Sequence, residues 1–504
     1  MKRITVAATC TAALLVGAIS LGATALAQTR PVGPPTARIA APIQGILIGL
    51  RPAAQATPAQ QAQVRVLQTQ RGAGELNIAR LQTQSLREAT AGRMVQFQVT
   101  PSRTISARAL ALETSGGATV WRGEVTGQSS GPPGTATLVL TEIGVTGTIH
   151  SADGRTYRLR PLPGGDTAII ELNYQTMPPD HPDDASGGGG QAQLRNPNLR
   201  APTVGVIAPI DNRAARQAQL QTPTINPNQV VAPIDNQLNE AAISTRLAVN
   251  PALLQLATRP SNVFLIERYR VRPEIWRLLV PPTIDVLVAY TSAGQAVSGD
   301  IAGLINLAIE ETNGSFTNSN VWARVRLVGT MPVSYNESGR DFPTIVGHLA
   351  TNGDGQMDNV HAQRDALNAD VVVLIMHQPA ACGRANAIGA NAAQAFVIVH
   401  WDCATGNYSF GHEIAHLASA RHDEPTDTTD TPYAWGHGFR HQAAAPNGWR
   451  TIMGYRCGGG LCEPRLQYWS SPLSTWNGLP MGTAADADNR RVWNERAATL
   501  AAFR

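Results

Sequence analysis

Hydrophobic positions fall into three patterns along the chain, and each predicts a different structure. Between residues 93 and 175, short alternating or β-branched runs recur: MVQFQV, TATLVLTEIGVTGTIH, TYRLRPL and TAIIELNY. The turn-forming stretches SGG, SSGPPG, ADG and PGG separate them. A period of two with Gly/Pro punctuation predicts an antiparallel β domain of about six or seven strands, over residues 93–184. From residue 281 the pattern changes. TIDVLVAY, VWARVRLVG, ADVVVLIMH and AFVIVHW are apolar enough to be buried strands. Ile301, Leu304, Ile305, Leu307 and Ala308 repeat at helical spacing, and YSFGHEIAHLASA and ADADNRRVWNERAATLAAF predict two further helices. Residues 281–504 therefore predict an α/β (α+β) domain with a mixed twisted sheet, long enough to fold alone. The third pattern is the lack of one. Residues 28–92 are rich in Gln, Ala and Arg, and predict a partly helical or loosely ordered segment. Residues 185–280 are rich in Pro, Gln and Asn, and predict a tether.

Charge narrows the range of partners. The 504 residues carry a net charge of +4, with arginine supplying nearly all the cations. No basic block or aromatic-interleaved patch occurs, which argues against a nucleic-acid partner. Lys2 and Arg3 precede an apolar run that ends in Ala25-Leu26-Ala27, a small-x-small cleavage site. Residues 1–27 thus predict a signal peptide and an exported protein. No later apolar run is long enough to span a bilayer, so no membrane association is expected after cleavage. Cleavage removes Cys10 and leaves Cys382, Cys403, Cys457 and Cys462. An even number in an exported chain predicts disulfides, with three pairings open, of which the sequence-local one is Cys382–Cys403 with Cys457–Cys462.

Candidate chemistry is concentrated in GHEIAHLASARHD, residues 411–423. His412 and His416 stand four apart, so on a helix both imidazoles face one side and can reach one metal ion. Glu413 lies beside the first ligand and is placed to take a proton from a metal-polarised water. His422, six residues past His416, would lie about 120° away around a continuing helix. The chain must therefore turn after Leu417 or Ala418. Ser419 stands where a glycine would ease that turn, at a cost of about 1–2 kcal/mol. Asp423 and Glu424 are substitute ligands if the turn differs. NGDGQMDN (352–359) suggests a Ca²⁺ loop but lacks the closing glutamate, so a plain turn is the alternative.

HEIAHLASARHD resembles the metzincin zinc motif, in its reprolysin-like form, with Ala415 and Ser419 in place of glycines. WRTIMGYRC (449–457) resembles the Met-turn that accompanies it. CGRANAIG, AFVIVHWDC, YSFGHEIAH and LQYWSSP, in this order, are similar to bacterial peptidyl-Asp metalloendopeptidases. The resemblance covers about residues 283–504, and 93–180 is more weakly similar to the family's propeptide. It implies a metzincin-like catalytic domain after a β-rich prodomain, one catalytic Zn²⁺ on His412, His416 and His422, and Glu413 as base. It also implies Met453 beneath the ligands, Tyr455 as a stabiliser of the transition state or a packed Met-turn residue, and protein or peptide substrates cut before Asp. An Asp-selective subsite needs a cation, for which Arg456 and then Arg384 are the candidates. Two other readings are a zinc hydrolase outside the metzincins with Glu424 as third ligand, and a non-catalytic secreted binding protein on the same scaffold.

Such a protease needs silencing before export, by its own prodomain, and no cysteine lies between Cys10 and Cys382 to do it. PPDHPDD offers Asp180, His181, Asp183 and Asp184, either as a metal cap in the precursor or as part of a polar linker. APIDN occurs twice, and under the same resemblance Ile210–Asp211 and Ile234–Asp235 become candidate self-processing bonds in an exposed tether.

Overall fold

In a computed structural model of the chain the described residues are 44–89, 91–115, 117–127, 133–182, 280–444 and 447–504. The leader, most of the tether, both APIDN copies, Asp183 and Asp184 lie outside them.

Upstream of the tether the chain builds one ten-stranded sheet. Its strands are β1 (Gln44–Gly45), β2 (Leu47–Pro52), β3 (Ala73–Leu81), β4 (Met94–Thr100), β5 (Arg103–Ser115), β6 (Ala118–Thr126), β7 (Gly134–Leu140), β8 (Val145–His150), β9 (Thr156–Leu162) and β10 (Asp166–Leu172). Their order is β1-β4-β5-β6-β7-β8-β9-β10-β3-β2. All pairings are antiparallel except the short β1–β4 pair. The sheet thus does not begin at residue 93. In the Gln/Ala-rich segment, AGELNIARL places Leu76 and Ile78 on the buried face, and α1 (Gln61–Thr69) buries Val64 and Leu67 beside them. Polar residues between these positions obscure the period, yet each apolar one finds a partner in the core.

Downstream of the tether a five-stranded sheet has the order β12-β11-β13-β15-β14. It comprises β11 (Thr283–Thr291), β12 (Arg324–Val333), β13 (Val371–Met376), β14 (Gly383–Ala385) and β15 (Phe396–His400). The pairings are parallel except that β14 runs antiparallel to β15 at the edge. VVVLIM of β13 is buried at every position, as a central parallel strand covered on both faces requires. Val373 and Ile375 face one hydrophobic cluster, while Val372, Leu374 and Met376 face another. A long helix (Ile301–Asn318) covers the first face, its N-terminus capped by Asp300, which accepts the Gly303 N–H at 2.8 Å. That face also takes up the ligand helix, Ser409–Leu417, which is buried throughout.

The described residues all fall within one compact unit, and its main core crosses from one sheet to the other. Val64, Leu67, Leu76, Ile78 and Ile170 pack in the same cluster as Ile305, Ile309 and Trp401. Around that apolar contact lies a ring of buried polar pairs. Arg158 meets Asp402 at 2.8 Å, Arg160 donates to Thr405 at 2.7 Å, and Thr148 donates to Glu311, which also accepts the Gly406 N–H at 2.9 Å. Burial raises the Glu311 carboxyl to about 7 in spite of these donors. Among the described residues no helix is long and apolar enough to cross a membrane.

Candidate metal centre

The ligand helix ends where the third histidine requires it to. Ser419 has φ +83°, in the left-handed region. Its N–H reaches His416 O at 2.9 Å and the Ala420 N–H reaches Ala415 O at 2.9 Å. That double closure is a Schellman stop, with serine in the position that favours glycine. The chain then reverses and returns His422 to the face that carries His412 and His416.

The tautomers of two ligands follow from their partners. His412 Nδ1 lies 2.9 Å from Ile452 O, and His416 Nδ1 lies 2.9 Å from Ala420 O. A carbonyl only accepts, so each Nδ1 carries the proton and each Nε2 presents a lone pair. These Nε2 atoms converge. His412 Nε2 is 3.2 Å from His422 Nε2, and His416 Nε2 is buried with no hydrogen-bond partner. A fourth imidazole closes the group: His181 Nε2, from the segment after the ten-stranded sheet, lies 3.1 Å from His422 Nε2. All four ligand atoms lie within 4.8 Å of one another. Burial is the first cause that lowers all four imidazoles, His416 to about 4 and the others well below their ordinary range. Neutral, buried nitrogens with lone pairs aimed at one point repel one another, and a cation between them removes that cost. Nitrogen ligands about 2 Å from a tetrahedral ion stand about 3.3 Å apart, so the donor set fits such an ion.

Glu413 stands behind this group. Its carboxylate oxygens are buried without a well-formed partner, although the Ala385 amide is near enough to favour the charged form. Burial first, and the negative charge of Asp180 second, hold its carboxyl well above the usual range, against the pull of Arg384 and Arg465. Gly383 on the edge strand is needed here, because a Cβ would stand 2.4 Å from Glu413 Oε1.

Other residues named from sequence fall around this centre. Met453 is fully buried in the core with Ile414 and Leu417, and its neighbour Ile452 supplies the carbonyl that orients His412. The Tyr455 ring lies 4.2 Å from the His422 ring. Asp423 is not a ligand: its carboxylate accepts the Tyr455 N–H at 2.8 Å and meets Arg440 at 3.0 Å, tying the His422 loop to the Met-turn. Glu424 is exposed and outside the ligand group, so the reading with Glu424 as third ligand does not fit. Cys382–Cys403 and Cys457–Cys462 are both bonded, the sequence-local pairing. In 352–359, Asp358 accepts the Gly353 and Gly355 amides and Asp354 accepts that of Gln356, so these carboxylates cap a turn. Arg456 donates to Tyr174 O and Gln175 O, and Arg384 is buried on the edge strand beside Glu413.

Sequence reasoning missed Arg465, which is 1% exposed and donates to Asp180 Oδ2 at 2.6 Å. No spacing within LCEPRLQYW marks it. His437 was not singled out either, yet its Nδ1 donates to His422 O at 2.8 Å and holds the backbone there.

Three imidazoles on a helix and its return turn, with a fourth from the segment after the ten-stranded sheet, could hold a metal ion, and a glutamate stands behind them. Residues 280–470 match the family described as Reprolysin_5, metallo-peptidase family M12. The peptidyl-Asp metalloendopeptidase of Stenotrophomonas maltophilia is 34% identical over 429 residues, 82% of this chain and 84% of that protein. Its counterpart from Xanthomonas campestris pv. campestris is 33% identical over 427 residues, 82% of this chain and 83% of that one. A span of 82% of this chain must reach upstream of residue 280 and take in strands β4 to β10. A crystal structure of metalloproteinase-II from Bacteroides fragilis is 12% identical with a TM-score of 0.36, covering 82% of this chain and 95% of that one; so loose a likeness carries no argument. The chain belongs to the M12 metallopeptidases and to the peptidyl-Asp metalloendopeptidase family within them, and it is a metalloendopeptidase.

Proposed function

We propose that this chain is a secreted zinc endopeptidase that cuts on the N-terminal side of Asp and is made latent by its own N-terminal sheet. The convergence of imidazole lone pairs at a point backed by Glu413 carries the reading. His412, His416 and His422 would hold the ion, which when bound polarises a water and the scissile carbonyl. Glu413 would take a proton as water adds to the scissile carbonyl carbon and would deliver it to the leaving amine as the C–N bond breaks, and the Tyr455 hydroxyl would hydrogen-bond the carbonyl oxygen. His181 would fill the position that water needs in the active enzyme, so the full chain is silent until the segment bearing it departs. Two backbone hydrogen bonds that hold the segment at the start of β14 support this: Cys382 N–H donates to Pro179 O at 2.8 Å and Gly383 N–H to Asp180 O at 3.1 Å. Asp specificity rests on the named activity of the relatives, and export rests on the N-terminal leader pattern.

Intact-mass measurement and N-terminal sequencing of the secreted protein, beside Glu413→Ala, test the reading. The wild type is expected to start at Asp211 or Asp235 while the variant stays full-length. Identical processing of both would assign maturation to another protease. An inert wild type with metal bound would return the scaffold to a binding role.

A further inference from the structure

We propose that Arg465 is the residue that reads the substrate's aspartate, and that in the full chain Asp180 occupies the aspartate's place. This rests on the Asp-directed reading above and names the group that carries it out. Arg465 is buried at the foot of the site. Its Nη1 donates to Asn407 O at 3.0 Å, just before the ligand helix, and its Nη2 to Gly454 O at 3.3 Å, just after Met453. These carbonyls fix the guanidinium between the two elements that form the metal centre. The carboxylate bonded to it in the described residues is Asp180, 285 positions upstream. Its Nε is buried without an acceptor, so the fork keeps a donor in reserve.

Asp180 arrives as a substrate residue would. Its backbone is held at the start of β14 by two hydrogen bonds, Cys382 N–H to Pro179 O at 2.8 Å and Gly383 N–H to Asp180 O at 3.1 Å. Its neighbour His181 is in the ligand cluster. Arg450 is already paired with Glu463; Arg456 donates to the carbonyls of Tyr174 and Gln175, which leave with the N-terminal segment, so it is the rival reader, and loss of the Asp preference in Arg456→Gln instead of Arg465→Gln would overturn the assignment. When the N-terminal segment leaves, Arg465 becomes a buried guanidinium without a counter-charge, and a peptide carboxylate one residue from the metal restores it. A fixed fork at this depth favours Asp over the longer Glu, and charge-assisted pairing rejects the neutral isostere Asn.

The test uses enzyme processed from the full chain and four quenched peptides that differ only in Asp, Glu, Asn or Ala after the scissile bond. The wild type is expected to favour Asp over Asn by roughly 100-fold in kcat/KM. Arg465→Gln should reduce that ratio at least tenfold while retaining slow cleavage of the Ala peptide, and Arg465→Lys should keep an acidic preference. An unchanged ratio in Arg465→Gln, or its loss in Arg384→Gln instead, overturns the assignment. No acidic preference in the wild type would overturn the Asp-directed reading itself, which separates the two failures. A second measurement needs only wild-type enzyme. The synthetic segment 177–182 should inhibit it at least tenfold better than the same peptide with Asp180→Asn. Equal inhibition by the two peptides contradicts the proposal even where no Arg465 variant folds.

Discussion

The candidate metal centre has two sides of different origin. His412, His416 and His422 come from one helix and the turn that ends it, so their convergence is a local property of about a dozen residues. His181 stands 241 positions before His422 and reaches the same point only because a whole sheet docks. The local side is held by backbone: Ile452, Ala420 and His437 fix the three rings or the chain that bears them. The distant side is held by tertiary contact, through the edge strand, the Asp180–Arg465 pair and the polar ring around Arg158 and Glu311. A site built this way keeps its ligands when the long-range contact is lost, and loses only what covers it.

That difference can be broken from either side. His416→Ala removes a local ligand, and is expected to abolish activity and to leave less than a tenth of an equivalent of metal by elemental analysis. His181→Ala is expected to retain a full equivalent and to turn the full chain active on a peptide substrate. Equal metal loss in both variants would mean that the sides are not distinct. Arg158→Ala strands the buried Asp402 carboxylate and should cost docking about 3–5 kcal/mol. Limited proteolysis of the full chain checks it, and release of the N-terminal sheet no faster than in wild type contradicts it.

Glu311 gives the same interface a pH dependence. Its folded pKa, near 7, lies above its ordinary value of 4.5, so between those two values the folded state holds a proton that the unfolded state has released. Its contribution is therefore greatest below pH 4.5 and falls as pH rises towards 7, by about 3 kcal/mol in all. Glu311→Gln should flatten the stability of the full chain across that window, as read from denaturant midpoints at fixed pH. An unchanged slope would remove Glu311 as its source. The smallest effect is at the turn. Ser419→Gly relieves the left-handed backbone but frees the unfolded chain, for a net gain of at most about 1 kcal/mol and a melting point higher by about 2 °C.

What the sequence disclosed follows the same division. The helix, the obligatory turn and the unusual Ser419 conformation could all be deduced from the spacing of His412, His416 and His422, because helical geometry alone relates them. The α/β order of the second half followed from apolar runs such as VVVLIM. By contrast, PPDHPDD supplied His181 and Asp180 as two of four polar residues, and nothing local says which of them meets a metal 241 positions away. Arg465 carried no signal, since its meaning comes from the carbonyls of Asn407 and Gly454 and from Asp180. Strands β1 to β3 were hidden for a related reason: they lie within a Gln/Ala-rich segment, and their apolar residues gain significance only against the core they complete.

The most direct test of the central claim is zinc K-edge absorption spectroscopy of the full chain, wild type beside His181→Ala. Four imidazole nitrogens around the ion are expected in the wild type. Three imidazoles and one oxygen are expected in the variant. The same first shell in both proteins would mean that His181 does not reach the metal, and the account of latency would be wrong.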